Sequence, residues 1–466
     1  MQRYIDSAKP KIIPPLDPDF KPNVLVNREF REKIKAEGHS VPLVIALERG
    51  DGSISTYKTI ASSNPADLPA NKVYAERLVK FLLWQRGGWK IIIGGPKEIG
   101  EHIKEVYSAT GKRAFDFNFM SGVYEKSFIV EVVDAEDVPE TQEEAAPLGR
   151  HLEGCRIGFD LGASDRKVAA VIDGEPVFSE EIVWDPRNQT DPGYHYSEIM
   201  AALKKAASYM PRVDAIGGSS AGVYINNHVK VASLFRGIPK DLFDTKIKNL
   251  FIDMKKDWNN IPFEVVNDGE VTALAGSMSL ADNAVLGIAM GSSEAAGYVT
   301  PDGNITGWLN ELAFAPIDVQ VNAPIDEWSC DAGVGANYLT QQAVFRLASK
   351  VGIQLDDSQT LADKLKTVQK LHDAGDKRAE QIWETIGVYL GYAIAHYADF
   401  YDTKHVLILG RVTSGNGGGV LIKKAKEVLS KEFPSLFNKI ELHLPEDESS
   451  RRVGQAVAAA SLPSLS

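Results

Sequence analysis

The chain has 466 residues, 44% hydrophobic and 24% charged, a composition ordinary for a globular enzyme with two or three domains. Its formal net charge of −12 argues against non-specific binding to nucleic acid or membrane surfaces, and no apolar run approaches the length of a membrane span. Two cysteines, Cys155 and Cys330, exclude a disulfide framework and a four-thiolate zinc site; with no apolar signal core at the N-terminus, the expectation is a reducing, cytoplasmic compartment.

Residues 1 to about 40 are rich in proline and charge and read as an extended lead-in with one short helix. PLVIALE (42–48) alternates like a strand, RGDGS turns the chain, and ISTYKTIA (54–61) returns. A helix is predicted over 74–85, a strand over 89–95, a polar-faced helix from Pro96 to about Ser108 and a strand over 127–133. The acidic segment 134–150, with two prolines, reads as a linker.

Beyond it, CRIGFDLGASDRKVAAVID (155–173) reads as a strand, a tight turn and a second strand. Asp160 stands at the end of the first strand, Gly162 lets the backbone approach a ligand closely, and Ser164 adds a hydroxyl. That set suits a metal-bound phosphate, with the carboxylate holding magnesium through water. An ordinary hairpin is the plain alternative. A helix (196–209) and a strand (213–218) follow, so the order seen before the linker recurs. ALERGDGS (46–53) resembles GFDLGASD (158–165), and IIIGG (91–95) resembles DAIGG (214–218). Two readings stay open: a degenerate internal repeat, or two unrelated α/β segments built from common pieces. In a repeat, Glu48 replaces Asp160 and nothing matches Ser164, so the first copy would hold no phosphate.

PFEVVNDGEVTALAGSMSL (262–280) delivers Asn267 and Asp268 from a short strand to the start of an Ala-rich helix. A carboxylate there is either a helix cap or a catalytic base. NAVLGIAMGSSEAAGYV (283–299) is a second glycine-serine hairpin, and two such hairpins suit a cleft that holds a nucleotide's phosphates from both sides. The stretch 361–401 is helical. The strand 404–410 then meets the loop RVTSGNGGG (411–419), which opens a helix and favours a phosphate, ribose or base edge. A strand (439–445) and a helix (449–462) close the chain.

Taken in order, these pieces resemble the sugar-kinase branch of the actin–hexokinase–Hsp70 ATPases, and within it the repressor/ORF/kinase (ROK) family, over about residues 156–460. FDLGASDRK is similar to the first phosphate motif, usually Asp-x-Gly-Gly-Thr. AIGGSSAG resembles the substrate-lobe turn, with Ala221 where proline is usual. VVNDGEVTALAGS resembles the Asn-Asp-Ala-Asn-x-Ala segment that carries the catalytic base. IAMGSSEAAGYV stands where Gly-Thr-Gly-x-Gly-Gly should be, and LILGRVTSG resembles the adenosine loop.

The resemblance implies an α/β, two-lobed actin-like (ribonuclease H-like) fold with an additional N-terminal α/β domain. Residues 1–150 would be that extension and its linker, 151–280 with the C-terminal helix 449–466 the first lobe, and 281–448 the second. It further implies ATP- and Mg²⁺-dependent phosphorylation of a sugar hydroxyl between the lobes, as in hexokinases and glucokinases. Asp268 would be the general base, and Asn267, Glu311, Ser220 and Gly222 would contact the sugar. Asp160 would orient the metal. Gly162, Ser164, Lys167, Gly291, Ser292, Ser293, Gly410, Ser414 and Gly415 would line the nucleotide. The expected partners are a small sugar and a nucleotide, without nucleic acid or membrane; the family's frequent dimers extend the expectation to a homodimer.

Three departures stand out. The family's Gly-Glu-x-Gly-His reads NELAF here, so Glu311 is kept while Phe314 stands for the histidine. Its cysteine cluster reads CDAGVGAN, with only Cys330, so no zinc is expected. Glu294 occupies a phosphate loop that the family fills with small residues. At about 4 Å an ionised carboxylate would repel ATP by roughly 1 kcal/mol in water, and about fourfold more at an effective dielectric near 20. Glu294 is therefore expected to turn out to solvent or to approach magnesium. Otherwise the chain would be a catalytically inactive carbohydrate- or nucleotide-binding relative with a regulatory role.

Overall fold

The computed structural model describes residues 1–50, 52–143, 148–162, 165–444 and 448–465, with side chains in the last stretch from residue 454 onward. α1 (Gln2–Ser7) and α2 (Asn23–Ala36) come first, so the lead-in holds more helix than its composition suggests. α2 buries Val26, Phe30 and Ile34 among charged neighbours, one helical face at fourfold spacing. β1 (Ser40–Glu48) and β2 (Ile54–Ser62) form the hairpin. α3 (Leu68–Arg86), β3 (Lys90–Gly94), α4 (Lys97–Val106), α5 (Ala114–Tyr124) and β4 (Ile129–Val133) follow, in a sheet ordered β2-β1-β3-β4.

β5 (Cys155–Leu161), β6 (Asp165–Ile172) and β7 (Glu175–Val183) make a three-stranded antiparallel meander. α6 (Pro192–Ala207) then leads to β8 (Ala215–Ser220), parallel to β5. The small hairpin β9 (Val223–Ile225) and β10 (His228–Val231), the single turn α7 (Lys240–Leu242) and α8 (Leu250–Asp257) precede β11 (Phe263–Asn267), parallel to β8. The sheet order is β11-β8-β5-β6-β7, and α9 (Asp268–Leu280) leaves its outer strand. A third sheet, ordered β13-β12-β14-β15, uses β12 (Val285–Met290), β13 (Glu294–Val299), β14 (His405–Leu409) and β15 (Glu441–His443). Between these strands lie α10 (Gln341–Lys350), α11 (Leu361–Asp373), α12 (Lys377–Tyr397), α13 (Asn416–Glu432) and α14 (Pro434–Phe437); α15 (Glu448–Ala460) closes the chain.

The repeat ends at strand direction. β3 pairs antiparallel to β1, whereas its counterpart β8 pairs parallel to β5. A crossover helix returns the chain in the direction of the strand it left. α3 leaves the second strand of a two-stranded meander, and α6 leaves the third strand of a three-stranded one. The similar strings mark hairpin turns and glycine-ended strands, which look alike in either direction.

The chain divides into two compact units. Unit 1 comprises Met1–Glu144, Ile288–Ala295 and Trp308–Leu444; unit 2 comprises Ala145–Gly287, Ala296–Gly307 and Pro445–Ser466. Residues 1–144 thus group with 308–444. In unit 2, α15 lies so close to the sheet that a Cβ on Gly158 or Gly217 would run into the carbonyl of Ala456 or Ala459. No helix among the described residues is long and apolar enough to cross a membrane.

Candidate active site

In unit 2, β5, β8 and β11 run parallel and end together, bringing Asp160, Ser219, Ser220, Asn267 and Asp268 to the carboxyl edge of the sheet. Register places Asp160 opposite both Lys167 and Ser219. Ser219 Oγ donates to Asp160 Oδ1 (2.7 Å), and Lys167 Nζ donates to Oδ2 (3.0 Å). Burial works to lower the Lys167 pKa, but Asp160 outweighs it and the ammonium ends above its ordinary value.

α9 is capped by Asn267, whose Oδ1 accepts from Gly269 N (2.7 Å). Capping therefore falls to Asn267. Asp268 keeps only N–H groups of its own first turn, Gly269 N at 3.0 Å among them, and remains partly exposed. Burial first, and the charge of Asp160 second, push its carboxyl up to about 6. Glu270 is buried, its Oε1 has no partner, and burial pushes it up to about 8. Glycine is required inside this turn. A Cβ on Gly269 would strike the Ala296 carbonyl, and one on Gly297 would strike that of Gly269.

The other residues singled out in unit 2 are already engaged. Asn267 Nδ2 donates to the Gly222 carbonyl (2.7 Å), and Ser220 Oγ shares a bond with Tyr224 OH (2.6 Å). Gly222 has φ 129°, and a Cβ there would meet Ala232. The Gly162 N–H closes the turn onto Asp165 O (2.9 Å), and its carbonyl accepts from Trp184 Nε1 (2.8 Å). Ser164 lies outside the described residues. Sequence reasoning missed Ser219, Tyr224 and Glu270. Ser219 becomes visible only once β5 and β8 are paired.

In unit 1, the Gly291 N–H donates to Ser293 O (3.0 Å) and its carbonyl accepts from Gln341 N (2.9 Å), leaving Ser292 and Ser293 exposed. Gly410 (φ 105°) lies against the Met290 backbone, so only glycine fits. The Ser414 carbonyl accepts from Gln369 Nε2 (3.4 Å), and Gly415 (φ 71°) precedes α13. Glu311 is half-buried, with its N–H on Trp84 O (2.9 Å).

Glu294 does not turn out to solvent. It is 1% exposed, accepts from Tyr397 OH at Oε1 (2.9 Å), and leaves Oε2 unpartnered against Gly335. Burial, first, and Glu311 push its carboxyl up to about 8 against the pull of Tyr397. A carboxyl kept neutral can sit in the interior, and it has no charge to set against a phosphate.

A ROK hexokinase from Thermus thermophilus is 17% identical, matched over 66% of this chain and 97% of its own, with a TM-score of 0.51. A ROK family transcriptional regulator, described as a homologue of the E. coli MLC protein, is 16% identical over 84% of this chain and 96% of its own, with a TM-score of 0.52. The fold is that of the ROK family. At these identities the likeness carries the fold alone, and it spans both an enzyme and a regulator. No protein-family model and no curated protein matches the chain.

The loop of unit 1 that has Phe314 in place of the motif histidine and keeps Cys330 alone of the motif cysteines is held by aromatic packing and ion pairs. Phe314 packs on Trp84 (ring centroids 4.3 Å) and Phe115 (5.6 Å). Asp331, next to the exposed Cys330, meets Arg113 Nη1 (2.7 Å), Arg77 Nη1 (2.9 Å) and Lys80 Nζ (3.6 Å). Burial pushes Asp331 up, but these three cations overcome it and hold the carboxyl well below its ordinary range. α3 supplies Arg77, Lys80 and Trp84, so an N-terminal helix anchors this loop.

Proposed function

We propose that the chain is an ATP-dependent sugar kinase in which Asp268 takes the proton of the acceptor hydroxyl. The observation that carries this is the state of Asp268: relieved of capping, partly exposed, and pushed up to about 6. A carboxylate with that pKa is ionised at neutral pH yet basic enough to share a hydroxyl proton as the phosphoryl group moves.

Asp160 and Lys167 fit a magnesium nucleotide. The carboxylate can hold the metal through water, and the ammonium, already poised beside it, can meet a phosphate oxygen. The nucleotide, when bound, supplies the phosphoryl group. Gly291, Ser292, Ser293, Gly410, Ser414 and Gly415 would line it, with the two exposed serine hydroxyls as donors, while Gly162 shapes the turn. A neutral Glu294 removes the electrostatic objection to a polyphosphate in that loop. Glu311 would bind sugar hydroxyls, as would Asn267, which keeps one N–H and one lone pair beyond its internal bonds. Ser220 and Gly222 would shape that side of the pocket.

The test is a coupled ADP-release assay across hexoses, amino sugars and N-acetyl sugars. ADP release that depends on one sugar class supports the proposal. No release with any sugar, from protein that binds a sugar or a nucleotide, replaces it with a non-catalytic binding role.

A further inference from the structure

His405 opens β14, while Glu441 and His443 stand two residues apart on β15, the edge strand of its sheet. The parallel register sets His405 beside Glu441 and Leu407 beside His443. Residues two apart on a strand share a face, so all three side chains rise from one side of the edge. His405 Nδ1 lies 3.0 Å from His443 Nε2, and Glu441 Oε2 lies 4.0 Å and 3.9 Å from these two nitrogens. The centre of that triangle is about 2.1 Å from all three atoms, the length of zinc bonds to imidazole and carboxylate.

We propose that His405, Glu441 and His443 form a binding site for a divalent transition-metal ion, with water as the remaining ligand. Two imidazoles and one carboxylate suit zinc, cobalt, nickel or copper; magnesium and calcium favour all-oxygen sets. The imidazole side chains are 12% and 23% exposed and the carboxylate 74%. The nitrogens are therefore held in place while one side stays open to water. In the metal-free state one ring donates to the other. On binding, the donor ring moves its proton to its second nitrogen, and both rings coordinate as neutral ligands. A plain imidazole pair accounts for the 3.0 Å contact but leaves the carboxylate, equidistant from both nitrogens, without a role. Lys426 is close enough to act on His443, and Glu441 offsets it.

The ion would tie a three-residue edge strand to its neighbour one residue before Leu444, where unit 1 ends. The sequence, judged by its cysteines and the missing histidine, leads to an expectation of no zinc anywhere in the chain; this proposal departs from that expectation, lies on other elements and does not depend on kinase activity.

The experiment is calorimetric titration of the chelator-treated full chain with zinc chloride, with melting curves on the same samples. One saturable site per chain is expected, with a melting temperature that rises with zinc. His443→Ala and His405→Ala each remove a ligand and should weaken binding by at least the roughly 10–100-fold that loss of a mere outer-shell partner costs. Cys330→Ser should leave binding unchanged, and excess magnesium should not compete. His443→Gln, closer in size and still able to hydrogen-bond, serves if the alanine variant fails to fold. No saturable binding, or binding untouched by the His405 and His443 variants, would overturn the proposal.

Discussion

Burial holds Asp268 at about 6 and Glu270 and Glu294 at about 8, and it raises Glu264 and Asp318 as well. Each binds its proton more tightly in the folded chain than in the unfolded one. Their contribution to stability is complete below the unfolded values and is lost as pH rises through the folded ones. Asp331 and Glu76 have the opposite sign, and their contribution is lost as pH falls below the ordinary carboxylate range. The melting temperature should therefore peak at about pH 5 and fall by several degrees toward about pH 8.5. Glu294→Gln replaces the neutral carboxyl with a neutral amide of similar shape. It should flatten the alkaline side of that curve and raise stability at about pH 8.5. A variant that melts with the wild-type pH dependence would show that Glu294 is ionised across the range.

At the scale of elements, α9 and α3 carry the argument. Asn267→Ala removes the N-cap of α9 and the tie to Gly222, and should cost about 1–2 kcal/mol by chemical denaturation. Asp331→Ala leaves Arg77, Lys80 and Arg113 without their shared anion in the interior. It should cost about 3–5 kcal/mol, a penalty that a surface ion pair would not show. Both hairpins, the strand into Asn267 and the start of α9 were legible, because alternation and the Asn267 cap are local signals. β7 was not. It is an edge strand with one solvated face, Val183 is 85% exposed, and Pro176 interrupts it, so no apolar alternation marks it. Without β7 the two meanders looked equal, and the repeat followed from that omission. The Asp331 anchor was also hidden, since its partner Arg77 lies 254 residues earlier in the chain. The inward turn of Glu294 depends on Tyr397, 103 residues further on.

For the whole molecule, the grouping of residues 1–144 with 308–444 means that the N-terminal segment is part of the body that carries Glu311, Ser292 and Gly410. Removing residues 1–144 would strip Trp84 from Phe314 and all three cations from Asp331. A chain of 145–466 should lose the cooperative melting of the full protein and be cut rapidly within 308–444 in limited proteolysis. Wild-type melting and protease resistance would show that the segment is an appendage. The measurement that bears most directly on the proposed chemistry is the pH profile of sugar-dependent ADP release, recorded for the wild type and Asp268→Asn with melting curves on the same preparations. Asp268 acting as the base predicts a wild-type rate that falls below about pH 6, and a variant slower by about 10²–10⁴-fold at an unchanged melting temperature. A variant that keeps the wild-type rate, or a wild-type profile with no acid limb near Asp268's value, would contradict it.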